Sequence, residues 1–337
     1  MKNFFLFSLL ILFMSCEKPQ IVAIEDETSN ENHAKLGSYR FNFYKNLAFH
    51  HAPIFYQDVD RTSIAGSSNA GLGGKSDYIS RYDFDGDKNT NNNWENLAGK
   101  RPSAVGYFSV AETETHYYIL YAFYHARDWD DAPWWREDSH ENDMEGILMA
   151  VWKNNARYGE LEAAITVFHK DFYSYKKNGH HWTSGAESVD GELSFQWHND
   201  ISRAEFSSEA KGHGIKAYSK QKPGGSDYVV YKPSVTTRGV PRDPYDRNVP
   251  YKLEHLIGAG KLWNLRNDSR IFDGAAFVGD NYKRNAANPP WGWNDHNDQM
   301  PGGAMAYKPA ELFKNYFDTK WSNVSTKYIH NPYLNIP

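Results

Sequence analysis

Residues 121–146 read YAFYHARDWDDAPWWREDSHENDMEG. An aromatic, mostly apolar run enters this stretch from His116 and ends near Tyr124, and a second apolar run, Gly146 to Trp152, leaves it. Two runs of strand length joined by a polar, Trp- and His-rich connection read as neighbouring strands that carry their chemistry on the joining segment. The same pattern recurs on either side, at Tyr39 to Tyr44, Ala104 to Val110, Leu161 to Phe168, Tyr228 to Tyr231 and Gly274 to Val278, between loops rich in Gly, Asn, Asp and Pro. Helical signals are few: Lys252 to Ile257, and Ala310 to Phe317 introduced by Pro309, a residue suited to a first helical turn. The expected fold is mainly β, a β-sandwich with long loops and a few peripheral helices.

The chain begins with Lys2, a largely apolar run from Phe4 to Met14, and then Ser15-Cys16. That run is too short to cross a hydrocarbon layer, which needs roughly 20 residues, so it reads as a signal peptide. The small residue before the chain's single cysteine marks Cys16 as a lipid acceptor. The expected organisation is a lipoprotein signal peptide over 1–15, a polar tether over 16–38, and one β-sandwich domain over 39–337, lipid-anchored at the outer membrane on its periplasmic or outer face. With Cys16 acylated, no cysteine is left for a disulfide, and stability must come from packing and bound ions.

A net charge of −5 argues against a nucleic-acid partner, which normally requires a basic face. Aromatic residues make up 16% of the chain, with 11 Trp and 23 Tyr, and their flat faces suit either a large β core or stacking against sugar rings. The sequence contains no Gly-x-Ser-x-Gly, phosphate loop, dinucleotide fingerprint or His-Glu-x-x-His, so esterase, nucleotide and zinc-protease readings have no support.

Within the central stretch, Asp143 and Glu145 stand two apart at the entrance to a strand, which places their side chains on one face about 7 Å apart. Two carboxylates so placed repel unless a cation, a shared proton or an arginine neutralises them. His140 can add an imidazole nitrogen, and Asp128 can reach in from the end of the previous strand. Such a set suits Mg²⁺, Ca²⁺ or Mn²⁺ better than structural zinc. The alternative is a solvated acidic loop bridged by Arg127 or Arg136. A second acidic stretch, Asp83, Asp85 and Asp87 running on to Asn91, spaces oxygen side chains as calcium ligands do. It departs from an EF-hand in the positions of Gly86 and Trp94, and it reads equally as an Asx-rich turn satisfying its own backbone. Among the histidines, His125 and His213 are the leading acid/base candidates, ahead of His169, His180, His181, His198 and His296. His125 lies three residues from Asp128, and His213 sits between Gly212 and Gly214, which leave room for a ligand to approach. Arg127 can hold a carboxylate or sulfate in a fork.

His140-x-x-Asp143-x-Glu145, preceded by a strand ending Phe123-Tyr124-His125-Ala126-Arg127-Asp128, resembles the central motif of the necrosis- and ethylene-inducing-like proteins. A weaker echo, Lys211-Gly212-His213-Gly214, is similar to a downstream segment of those proteins and of vacuolar-sorting-62-like proteins. The resemblance covers about 100 residues and implies a β-sandwich with an acidic cleft in which Asp128, His140, Asp143 and Glu145 are ligands to a divalent cation. The chain departs from the motif at Ser139, Glu141, Asn142 and Met144 and lacks the paired cysteines of many members.

The combined expectation is a protein that handles anionic carbohydrate. As an enzyme it would be a carbon–oxygen lyase, a polysaccharide lyase or oligosaccharide dehydratase, eliminating next to a uronic carboxylate. A cation or Arg127 would hold the developing charge while His125 or His213 moves the proton. The alternative is a cation-dependent sugar-binding or membrane-damaging protein of the necrosis-inducing type, without enzymatic activity.

Overall fold

The computed structural model describes residues 40–62, 70–130, 139–219, 225–279, 287–297, 300–320 and 323–337. The signal peptide, Cys16, the polar tether, Tyr39 and Arg136 lie outside the described residues. The chain divides into Met1–Phe43 and Tyr44–Pro337, and the sheet and its core lie in the second unit. No helix among the described residues is long and apolar enough to cross a membrane.

The strands in chain order are β1 (Ile54–Asp58), β2 (Val105–Thr113), β3 (His116–Asp128), β4 (His140–Trp152), β5 (Glu160–Phe168), β6 (Asp171–Lys177), β7 (Thr183–Ser184), β8 (Gly191–Leu193), β9 (Phe195–His198), β10 (Ile201–Ser208), β11 (Ile215–Ala217), β12 (Tyr228–Ser234) and β13 (Val249–His255). Four short strands follow: β14 (Phe272–Asp273), β15 (Ala276–Phe277), β16 (Phe317–Asp318) and β17 (Tyr328–His330). The fold is mainly β, as expected. A single 13-stranded sheet runs β11-β10-β1-β12-β13-β2-β3-β4-β5-β6-β8, with β17 on β2 and β9 on β10. The expected sandwich is therefore one sheet curled so that β1 faces β3 and β11 meets β5, nearly as a barrel. Phe55 of β1 stacks on Phe123 of β3 with centroids 4.2 Å apart, and Tyr121 donates to the Ala48 carbonyl at 2.6 Å.

β3 serves two layers because its side chains alternate. Tyr118, Leu120, Ala122, Tyr124 and Ala126 belong to a large core with Trp182, Trp291, Trp293, Phe313 and Tyr316. Tyr121, Phe123 and His125 face the curled-over half. Rings of this size bury about 150–250 Å² each, which explains how a chain without disulfides holds a sheet this wide.

Three sequence expectations need correction. Residues 40–51 are helical, where a strand over Tyr39 to Tyr44 was expected. Tyr44, Leu47, Ala48 and His51 are the buried positions, a helical spacing that a window confined to the aromatic run misses. The Nη1 of Arg203 then donates to the carbonyls of Phe49, His50 and Ala52 at this helix's end. Lys252 to Ile257 is not a helix: Val249, Tyr251 and Leu253 alternate into the core on β13, which pairs in parallel with β12 and β2. The strand expected over Gly274 to Val278 shrinks to the β14–β15 hairpin turning at Gly274 (φ 64°). The helix led by Pro309 is present as Pro309–Tyr316.

Candidate metal centre

β3 and β4 pair along their whole length, and this register builds the site: His125 stands opposite Asp143, and Asp128 opposite His140. The acids therefore belong to the strand itself, which begins at His140, six residues before Gly146. In a regular strand His140 and Asp143 would point to opposite faces. Asn142 has φ 62°, a conformation that asparagine tolerates better than most residues. Its amide donates to the carbonyls of Thr90 (2.9 Å) and Val278 (2.8 Å), while its oxygen accepts from Asn93 (2.8 Å) and from the Tyr124 hydroxyl. The locked turn brings His140 to the side of Asp143 and Asp128, within electrostatic reach of both. Gly146 follows because the ring of Trp293 lies 2.1 Å from where its Cβ would stand, and that indole donates to the Met144 carbonyl at 2.9 Å.

The deep end of the site is fully buried. His213 lies flat on His125, with centroids 3.7 Å apart and planes 2° from parallel. Its Nδ1 meets Asp143 Oδ2 at 2.8 Å and its Nε2 meets Asp77 Oδ1 at 3.3 Å. Burial opposes its charge, but the two carboxylates outweigh burial and push its pKa up to about 10. His125 is the opposite case: burial, aided by His213, lowers it well below the ordinary value. Gln57 fixes its tautomer. The Gln57 amide donates to the carbonyls of Asp58 (2.9 Å) and Glu209 (3.0 Å), so its oxygen must accept from His125 Nε2 at 3.0 Å. His125 Nδ1 is then a bare lone pair, buried with no hydrogen-bond partner.

His125, Asp143 and His213 offer ligand atoms within 4.8 Å of one another and can hold a metal ion. An orphaned imidazole nitrogen whose other nitrogen is held by a carbonyl-type acceptor is the arrangement that metal-binding histidines use. Of the four ligands expected from the sequence, only Asp143 is in this group. Asp128 and His140 pair with each other at 3.4 Å beside it. Burial lowers His140, but Asp128 overcomes this and pushes it up to about 9. Burial raises Asp128. Glu145 accepts from the His169 backbone at 3.2 Å with one oxygen, and its other oxygen is buried without a partner. Burial first, and Asp143 second, push its carboxyl well above the usual range.

The remaining expectations fare differently. Arg127 holds no open fork: its guanidinium donates to the carbonyls of Trp94 and Ala70 and lies over the Trp94 ring. The glycines beside His213 leave room for protein and not for a ligand, since a Cβ on Gly212 would meet His169 at 2.5 Å and one on Gly214 would meet Phe168 at 2.6 Å. The carboxylates of Asp83, Asp85 and Asp87 do not converge. Asp83 pairs with Arg81 at 2.8 Å, Asp85 accepts from Asp87 N and Asn96, and Asp87 accepts from Asn89 N and Asn92. That is the Asx-turn arrangement. Asp77, Gln57 and Asn142 were not anticipated. Only Asn142, inside the quoted motif, offered a local signal.

No family model matches the chain, and no curated protein matches it. Solved structures that match the chain are necrosis- and ethylene-inducing toxin-fold proteins, the group that the His140–Glu145 motif resembles. One described as a toxin fold for microbial attack and plant defense is 16% identical, with 54% of this chain and 72% of that one covered and a TM-score of 0.27. Necrosis and Ethylene inducing Protein 2 from the causal agent of cocoa's Witches Broom disease is 15% identical over 72% and 84%, with a TM-score of 0.32. NLPPya in complex with glucosamine is 15% identical over 53% and 69%, with a TM-score of 0.27.

Proposed function

We propose that this protein is a cation-dependent carbohydrate-binding protein without enzymatic activity, held at the outer membrane through lipid on Cys16. The observations that support the cation are the ligand atoms of His125, Asp143 and His213 lying within 4.8 Å of one another and the buried, unpartnered Nδ1 of His125. Of Ca²⁺, Mg²⁺ and Mn²⁺, two imidazoles beside one carboxylate favour Mn²⁺. Asp128 and His140, nearer the surface, are the groups through which a sugar's hydroxyls would meet the bound ion. Elimination chemistry has weaker support. His213 is clamped between two carboxylates, His125 is wholly buried, and the Arg127 guanidinium is spent on backbone carbonyls.

Calorimetry against a panel of neutral, amino and uronic sugars, with Mn²⁺ and with chelator, tests this reading. Binding of the neutral and amino sugars that requires the cation and leaves every sugar's mass unchanged is expected. Cation-independent binding of those sugars, or a product with a new mass from any sugar, overturns it. Mass spectrometry of the membrane fraction should find Cys16 acylated at the mature N-terminus, and an unmodified terminus elsewhere removes the anchor.

A further inference from the structure

The 3-10 segment Leu72–Asp77 ends in the metal centre, where Asp77 meets His213. Two residues earlier, Lys75 lines a different cavity of about 440 Å³, together with Tyr78, Arg101, Pro102, Pro241 and Asp243. None of the metal-centre side chains borders it. Lys75 and Arg101 line it together, and the Lys75 ammonium is lowered by burial first and then by Arg101 and Arg127. Like charges held together are favourable only when an anion joins them. Lys75 gives donors to the carbonyls of Ala98 (3.0 Å) and Leu97 (3.4 Å), and an ammonium has three. Among the described residues no carboxylate lies within ion-pair distance of exposed Arg101, whereas Arg242 on the same rim is paired with Asp246 at 2.9 Å. The Asp243 carboxylate accepts the Tyr245 backbone N–H at 2.8 Å with one oxygen, and a carboxylate oxygen can accept again from a hydroxyl. The prolines and the Tyr78 ring form an apolar wall of the kind that stacks on C–H faces.

A ligand that satisfies all three features carries a carboxylate, hydroxyls and a flat apolar face. We propose that this cavity binds one uronic-acid ring of an anionic saccharide, its carboxylate on Arg101 and Lys75, a hydroxyl on Asp243, and its C–H face on the prolines and Tyr78. This deepens the carbohydrate reading above and rests on it for the ligand class, but it uses other residues and no metal.

Calorimetry with the full chain against glucuronate, glucose and inorganic phosphate tests it. Glucuronate should bind in the presence of chelator. Arg101→Gln, at an exposed position, should weaken that binding roughly tenfold to a hundredfold, the range for losing a hydrogen bond to a charged group. Asp243→Asn should weaken it less. No glucuronate binding, equal affinity for glucose, or full affinity in Arg101→Gln overturns the assignment, and phosphate bound as tightly as glucuronate replaces a sugar-acid site with a general oxyanion site. If glucuronate binding survives Arg101→Gln but disappears with chelator, the cavity claim falls and the metal-centre reading stands. If Arg101→Gln weakens it while chelator affects no sugar, the reverse holds.

Discussion

β3 carries a histidine–carboxylate cluster at each end, nine residues and about 30 Å apart, and the two are built to opposite specifications. At its start, Glu162 lies between His116 Nε2 (2.9 Å) and His180 Nε2 (3.0 Å). The other nitrogens are also engaged, His116 Nδ1 with the Thr115 hydroxyl at 2.8 Å and His180 Nδ1 with the Trp182 backbone N–H at 3.4 Å. Burial pushes the Glu162 carboxyl up, but the two imidazoles prevail and hold it at about 2. At the far end, His125 Nδ1 and one Glu145 oxygen have no partner, and Asp77, Asp143, Asp128 and Glu145 crowd around two charged imidazoles. One cluster is closed and the other keeps acceptors in reserve. A buried lone pair left over costs stability, and a surplus of them in one place is a site for something else to bind.

Mutations that exchange these behaviours break the comparison. The largest effect is expected from Asp143→Ala, which leaves the His213 imidazolium with Asp77 alone. Removing one partner of a buried pair costs about 3–5 kcal/mol, measured by urea unfolding in chelator, and the variant should also lose its response to metal. Glu162→Gln should keep that response. If Glu162→Gln loses it and Asp143→Ala keeps it, the assignment of roles is reversed.

Metal comes next. An ion that binds only the native state adds about 2.7 kcal/mol at a hundredfold excess over Kd, so Mn²⁺ should raise the melting temperature and chelator should lower it. A melting temperature indifferent to both leaves the far cluster a salt-bridged strand end.

The pH dependence in chelator should separate the two ends, with a few kcal/mol on each limb. His213, raised to about 10, contributes stability that is complete below an unfolded value near 6.5 and is lost as pH rises through 10. The raised Glu145 adds to the loss in the same direction. Glu162, held at about 2, contributes stability that is present above an unfolded value near 4.5 and lost as pH falls through 2. Asp143→Ala should flatten the alkaline limb and Glu162→Gln the acid limb in unfolding curves recorded across pH. The same limb flattened by both would mean the clusters are coupled.

The smallest effect is expected from Asp85→Ala, which removes an Asx-type acceptor from an exposed turn at about 0.5–1 kcal/mol and leaves the metal response unchanged. A chelator response that persists in Asp143→Ala but disappears in Asp85→Ala would move the site to that loop.

Much of this molecule was legible along the chain. β2, β3, β4, β5 and β12 follow from apolar runs of strand length, and the helix at Pro309–Tyr316 from its leading proline, because local periodicity and capping are properties of neighbours in sequence. The motif from Asp128 to Glu145 pointed to the right strand ends for the same reason. Period failed where the window was wrong, in residues 40–51 and in β13. Cross-strand register, however, is not a local property. That His125 faces Asp143 depends on the pairing of β3 with β4, and that Gln57 sets the His125 tautomer depends on the sheet curling β1 over β3.

The sequence by itself determined a mainly β chain with acids and histidines gathered between two of its strands, since composition and alternation need no partner to be read. Only the tertiary structure decided which of those groups converge. Asp77 and His213 stand 136 positions apart, so no spacing rule could join them, and Arg127 was removed from the chemistry by backbone carbonyls that the chain presents only once folded. A buried lone pair exists only after every neighbour has chosen its partner, which is why the bare nitrogen of His125 appears in the fold and nowhere in the string of residues.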